Sequence, residues 1–180
     1  MRKLQAVCDD GIVGVRNLLL LQLSYESMRR RSEICAFRFD DVKTLPNGKN
    51  ALLLRKSKTD QLGEGKLIPI LDELLEMMSY WQDTIKQTDG VILRNFKRDL
   101  SVRESLDPPA LNKILKLLQR KAKLKGIGEL SGHSFRVGAA EDLLDKGVPL
   151  EKIMLRGGWK SENTALRYLR NWDDSDWLLT

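Results

Sequence analysis

Four residues in the C-terminal third of the chain could together attack a phosphodiester. His133 is the sole histidine, and Arg136 follows three residues later. Trp159 stands directly after Gly157-Gly158, and Tyr168 comes nine residues beyond it. A phenol is a nucleophile once activated. Its ordinary pKa is near ~10, so it needs cationic donors on the target phosphate and a proton acceptor nearby. Histidine and arginine at this spacing share one helical face and can both donate to one anion. Backbone N–H groups at a helix start favour the same negative charge. An indole N–H adds one hydrogen bond to a phosphate oxygen but cannot shuttle a proton. Each residue also has an ordinary reading: a satisfied polar histidine in a Ser/Gly turn, a half-buried tyrosine near a chain end, a core tryptophan. The combination, in this order, is what points to phosphoryl chemistry. No Asp/Glu cluster or Cys/His set has metal-ligand spacing, so no metal and no small-molecule cofactor is expected.

The segments Ser131-Gly132-His133-Ser134-Phe135-Arg136, Gly157-Gly158-Trp159 and Tyr168-Leu169-Arg170-Asn171 resemble the catalytic half of the tyrosine recombinases, the phage-integrase family. Members carry histidine or tryptophan at the Trp159 position. The resemblance implies site-specific DNA recombination through metal-independent strand cleavage and rejoining, with Tyr168 as nucleophile and a 3′-phosphotyrosine intermediate. Tyr25 and Tyr80 lack such surroundings. It also implies an upstream arginine three residues before a glutamate. In Ser27-Met28-Arg29-Arg30-Arg31-Ser32-Glu33 that position is Arg30, with Arg29 and Arg31 as the neighbouring registers. The family usually has glycine and an apolar residue just before this arginine, where this chain has Ser27, Met28 and Arg29. Glu33 is then the carboxylate that orients the site. A lysine in a hairpin loop is implied as general acid on the leaving 5′ oxygen. Of Lys56, Lys58 and Lys66, the Ser57-Lys58-Thr59 context selects Lys58.

On this resemblance the partner is double-stranded DNA, with a homotetramer assembled on it. The tail from Trp172 to Thr180 is expected to dock on a neighbouring protomer. The compartment implied is the cytoplasm, in a bacterium or a chain encoded by a phage or plasmid. Residues 1–180 are expected to form a single catalytic domain, with the family's N-terminal DNA-clamping domain absent from this chain. Two other classes share parts of this pattern. A type IB topoisomerase uses similar chemistry without strand exchange, but the Gly-Gly-Trp segment argues against it. A non-catalytic DNA-binding relative would not need the full Arg/Lys/His/Arg/Trp/Tyr set.

The elements that must position these residues read as mainly α with a small antiparallel β-sheet, the fold of the tyrosine recombinase catalytic domain. The 180 residues are 42% hydrophobic, enough for one globular core. A formal charge of +6 suits a polyanionic partner. No apolar run approaches a membrane span. The longest is Leu18-Leu19-Leu20-Leu21, within a helix predicted over 11–27. Cys8 and Cys35 set no disulfide framework and read as small core residues. A helical turn is predicted from Ser32, then strands over 51–55 and 66–70 after an Asn47-Gly48 turn. Pro69 suits an edge strand. Leu71, Leu74, Leu75, Met78 and Trp81 form an amphipathic stripe. Asp107-Pro108-Pro109 precedes a helix over 111–125. Its core face carries Leu111, Ile114, Leu115, Leu117 and Leu118, and its basic face offers Lys113, Lys116, Arg120 and Lys121 as DNA contacts. Helices over 134–146 and 149–156 follow, with Gly147 closing the first. Ser161 can cap the helix that carries Tyr168. Trp81, Trp172 and Trp177 read as packing residues.

Overall fold

The computed structural model describes residues 1–56 and 65–169, with side chains to Leu166. Among these it has eight α-helices and one three-stranded sheet. After the single turn of α1 (Arg2–Gln5), α2 (Ile12–Ser27) runs through the centre, with Leu19, Leu20, Leu21 and Leu23 fully buried. Its leucines line no single stripe because α1, α4 and α6 cover it on different sides. The polar groups it buries are answered. Arg16 donates to the Asn17 side chain (2.9 Å) and to the Arg94 carbonyl (3.2 Å). The Glu26 carboxylate accepts from Gln22 (2.7 Å) and from the Leu71 N–H (3.0 Å).

Met28 ends α2 in the left-handed region, at φ 51°, although its side chain is fully buried. A non-glycine residue there costs about 1–2 kcal/mol, which its burial offsets. The short α3 (Arg31–Ile34) follows at once.

The sheet has the order β1-β2-β3, all antiparallel: β1 (Val42–Thr44), β2 (Asn50–Leu54) and β3 (Lys66–Ile70). β1 is a strand the sequence reading did not anticipate; its three residues are too few to show alternation. Gly48, at φ 77°, turns the chain from β1 into β2. Pro69 lies opposite Ala51 on the edge strand β3, where its missing N–H is tolerated. Residues 57–64, between β2 and β3, include Lys58 and lie outside the described residues.

α4 (Asp72–Ile85) buries Leu74, Met78, Trp81 and Ile85. Leu71, expected on that stripe, is 58% exposed, because it is the extended N-cap residue whose N–H is taken by Glu26. α5 (Pro108–Lys121) buries Leu111, Leu115 and Leu118. Leu117, also expected in the core, is exposed; it lies off that line of three on the helix surface. The helix also stops short of residue 125, where Lys123 takes a φ of 51°.

α6 (Gly132–Asp145) starts two residues earlier than expected, so His133 belongs to its first turn. α7 (Leu150–Gly157) and α8 (Glu162–Leu169) complete the chain order. The main core lies between α2, the sheet, α4 and α5. A second, smaller cluster of Met28, Ala139, Ala140, Ile153, Trp159 and Ala165 joins the end of α2 to α6, α7 and α8. The candidate site residues are built around that cluster. No helix among the described residues is long and apolar enough to cross a membrane.

Candidate active site

The start of α6 is fixed from two sides. The Ser131 N–H donates to Ser134 Oγ (3.1 Å), and the Gly132 N–H donates to Asn112 Oδ1 of α5 (3.1 Å). Gly132 also packs against α3: a Cβ there would lie 3.0 Å from the Arg31 Cβ. His133 and Arg136, one turn apart, then line a cleft of about 290 Å³ together with Arg29, Arg30 and Asn112. His133 is exposed at its mouth. Partial burial, then the positive charge of Arg136, push the His133 imidazole below its ordinary pKa, toward the neutral form. Arg136 is buried, at 4% exposure, and its guanidinium lies 4.5 Å from the centre of the Trp159 ring. A cation over an indole face is attracted by the ring quadrupole.

The two glycines before Trp159 serve different ends. A Cβ on Gly157 would lie 2.2 Å from the Trp159 ring, so glycine lets the indole fold back on α7. Gly158 takes φ 72°, the left-handed corner that ends α7. A Cβ on Gly158 would meet Arg29 Nη1 at 2.8 Å. The corner thus seats both Trp159 and Arg29.

The arginine run divides. Arg30 caps α3, and Glu33 holds it twice: the Arg30 N–H donates to Oε2 (3.1 Å) and its Nη1 to Oε1 (3.1 Å). Glu33 is buried and Arg30 is half-exposed into the cleft. Arg31 is exposed at the rim. Arg29 turns inward to 3% exposure, and its Nε donates to the Ser27 carbonyl (3.0 Å). Burial lowers its pKa to about 10; Arg136, Arg30 and Arg156 push the same way and Glu33 opposes them. In the sequence Arg29 reads only as a neighbouring register of Arg30. The available signal was its place where the family has an apolar residue.

The remaining expected residues are distributed unevenly. α8 carries Tyr168 in its backbone, with the Thr164 N–H donating to Ser161 Oγ (3.3 Å) at the helix start. The Tyr168 side chain, Lys58 and residues 170–180 lie outside the described residues. Of the other lysines weighed with Lys58, Lys66 donates its ammonium to the Leu155 carbonyl, and Lys56 is exposed. Lys116 pairs with Glu129, and Lys116 and Arg120 share a separate groove of about 420 Å³ with Lys123 and Lys125. None of Lys113, Lys116, Arg120 and Lys121 lines the His133 cleft; α5 supplies Asn112 there instead, a residue the sequence reading did not mark. Tyr25 donates its phenol to Asp142, and burial with that contact pushes its pKa up to about 12. Tyr80 is exposed, and neither of these tyrosines lines the cleft.

Residues 1–174 match the phage integrase family. The chain belongs to this family. Recombinase Cre of Escherichia phage P1 is 27% identical over 178 residues, covering 92% of this chain and 52% of Cre. An integrase/recombinase XerD homologue of Selenomonas ruminantium is 29% identical over 170 residues, covering 89% of this chain and 49% of the homologue. This phage integrase family chain therefore spans about half the length of the curated relatives it matches. Among solved structures, XerH recombinase bound to palindromic difH in a post-cleavage complex is similar with a TM-score of 0.73 and 18% identity, over 94% of this chain and 47% of that one. XerA recombinase is similar with a TM-score of 0.70 and 16% identity, over 93% and 56%. The similarity places the chain in the fold of the family's catalytic domains, mostly helical with a small antiparallel sheet.

Proposed function

We propose that this chain is the catalytic part of a tyrosine-type site-specific DNA recombinase, an enzyme that cuts and rejoins duplex DNA through a 3′-phosphotyrosine. The observation that carries the reading is the His133–Arg136 pair in one cleft with Arg30, backed by Trp159. Such a cluster suits a phosphate diester. Arg30 and Arg136 neutralise its non-bridging oxygens, and the Trp159 N–H adds a donor. Glu33 keeps Arg30 in place. Tyr168, on α8, attacks phosphorus in line. Its proton passes to the neutral imidazole of His133, a bond forms between the Tyr168 oxygen and phosphorus, and the bond from phosphorus to the 5′ oxygen breaks. Lys58 protonates that oxygen, leaving a free 5′-OH. The phosphodiester energy stays in the phosphotyrosine, so a 5′-OH from a second duplex can reverse the step and complete strand exchange.

Double-stranded DNA is the partner in this reading, in the cytoplasm of a bacterium or a phage host. The basic net charge supports it, and so do relatives solved on DNA, among them XerH on difH and a lambda integrase dimer on a core site. Lys113, Lys116, Arg120 and Lys121 would supply further phosphate contacts. A tetramer on DNA, with residues 172–180 docked on a neighbouring protomer, completes the proposal.

The test is covalent trapping on a nicked duplex that loses its 5′-OH fragment after cleavage. Wild type should leave a protein–DNA adduct on a denaturing gel. Tyr168→Phe should leave none, while DNA affinity changes by less than about threefold, because only the phenol oxygen is lost. A persistent adduct in the mutant would move the nucleophile elsewhere. Relaxation of a supercoiled plasmid without strand exchange would favour a topoisomerase.

A further inference from the structure

The buried Arg94 and the half-buried Arg156 engage their own guanidinium groups. Arg94 donates its Nε to the Val91 carbonyl (2.9 Å), its Nη1 to the Gln87 side chain and its Nη2 to the Asp89 carbonyl (2.7 Å). Arg156 spends Nη2 on the carbonyls of Glu26 (3.0 Å) and Pro69 (3.3 Å). Arg29 does not follow this pattern. Its Nε is used by Ser27, but Nη2 is buried without a hydrogen-bond partner among the described residues. It sits at 3% exposure. The charges of Arg136, Arg30, Arg156 and Lys66 that act against it are all positive. The negative charge beside it, Glu33, has both carboxylate oxygens engaged by Arg30.

A buried cation without a paired anion is costly, and an apolar side chain of similar volume would avoid that cost. The cost is recovered when an anion enters. The cleft offers the place, since Arg29 lines it together with Arg30, His133 and Arg136. Gly158 leaves the guanidinium room at the corner before Trp159.

We infer that Arg29 is a further phosphate-contacting arginine, whose Nη2 donates to a non-bridging oxygen of the anion held by Arg30, His133 and Arg136. This rests on the recombinase reading for the identity of the anion, the scissile phosphate, but not for the existence of the anion site. Arg29 makes no covalent step. It adds positive charge where the pentavalent transition state gains negative charge. Its place in the chain is one the family usually fills with an apolar residue, so this contact is a property of this chain.

The experiment uses the full chain, Arg29→Met and Arg29→Gln, with inorganic phosphate as probe. Thermal melts across a phosphate titration give affinity by linkage. Wild type should be stabilised by phosphate. Both variants should bind it about ten- to a hundredfold more weakly, the worth of one charge-assisted hydrogen bond. Arg29→Met should melt no lower than wild type without phosphate, since it removes an unpaired buried charge. Equal phosphate affinity in variant and wild type overturns the inference, as does a wild type that binds no phosphate. If Arg29→Met does not fold, Arg29→Gln, polar and of similar reach, decides on the same readout. A second arm compares nicked duplexes with a normal or an uncharged methylphosphonate group at the cleavage site. Arg29→Met should lose about a hundredfold in cleavage on the first and only a few-fold on the second. Equal losses on both would make Arg29 a packing residue and overturn the inference. If wild type forms no adduct with either duplex, the recombinase reading fails, and the phosphate titration still decides whether Arg29 belongs to an anion site.

Discussion

The Arg136 guanidinium lies 4.5 Å from the centre of the Trp159 ring, with Gly157 clearing the space behind that ring. The pair joins α6, which carries His133, to the corner that leads into α8, which carries Tyr168. Trp159 therefore has two separable contributions. Its ring is a wall that packs the small core cluster and lies against Arg136, and on the recombinase reading its N–H is a donor for the phosphate.

Substitution at Trp159 separates them. Trp159→Ala should cost about 3–5 kcal/mol of stability, because a large buried aromatic is lost. Trp159→Phe keeps a ring under Arg136 but removes the N–H. It should fold normally and cut the cleavage rate about ten- to a hundredfold. Circular-dichroism melts and trapping kinetics on the same preparations check both halves. Wild-type cleavage by Trp159→Phe would leave the ring as the whole contribution.

Gly157→Ala tests the close approach of the indole to α7. The added methyl would meet the ring at 2.2 Å, so either the helix or the ring must move. A loss of about 1–3 kcal/mol is expected from overpacking. Cleavage should fall as well, since Arg136 follows the ring. A denaturant melt at wild-type midpoint would mean that the corner relaxes without strain.

Local features of this site were legible in the sequence, and those set by packing were not. His133 and Arg136 share a face because their spacing alone puts them one turn apart. The helices α2 and α4 and the strands β2 and β3 follow from apolar density, periodicity and turn residues. Leu71 reads as part of a stripe, yet a helix cap turns it outward; Leu117 reads as core, yet lies off the buried line of α5. The burial of Arg29 depends on the Gly158 corner, which comes from a distant part of the chain. The run of three arginines does not by itself mark one of them as internal; only the family's apolar residue at the Arg29 position does. The Glu33 grip on Arg30, by contrast, is a three-residue relation and could be read directly.

Acid should act on the site through His133. Its imidazole is held below the ordinary pKa by burial and then by Arg136, so it is neutral at pH 7. If the neutral ring accepts the Tyr168 proton, the cleavage rate should fall as pH drops below the usual histidine value of about 6.5. The linked stability change has the same direction. The unfolded chain takes up the proton first, so stability is complete above about pH 6.5, falls as pH drops from there, and levels off below the folded pKa. His133→Gln should flatten this component of urea melts between about pH 5 and 8 and remove the acid limb of the rate profile. An unchanged acid limb in the mutant would assign the titration to another group.

On the recombinase reading a lysine protonates the leaving 5′ oxygen. Lys58 lies outside the described residues, but the described lysines weighed beside it narrow the choice. Lys66 is tied to the Leu155 carbonyl of α7, and burial, followed by the charge of Arg29, lowers its pKa. Moving Lys66 to a leaving oxygen would break that contact. Lys56 is exposed. A nicked duplex with sulfur in place of the bridging 5′ oxygen needs little protonation of its leaving group. Lys58→Ala should cleave the normal duplex about 10²-fold or more slowly than wild type, within the usual range for a lost general acid. It should cleave the sulfur duplex at close to the wild-type rate. Lys66→Ala should show no such rescue, because its loss disturbs the β3–α7 contact on both substrates alike. Rescue of Lys56→Ala or Lys66→Ala, with none for Lys58→Ala, would transfer the proton-donating role to that residue.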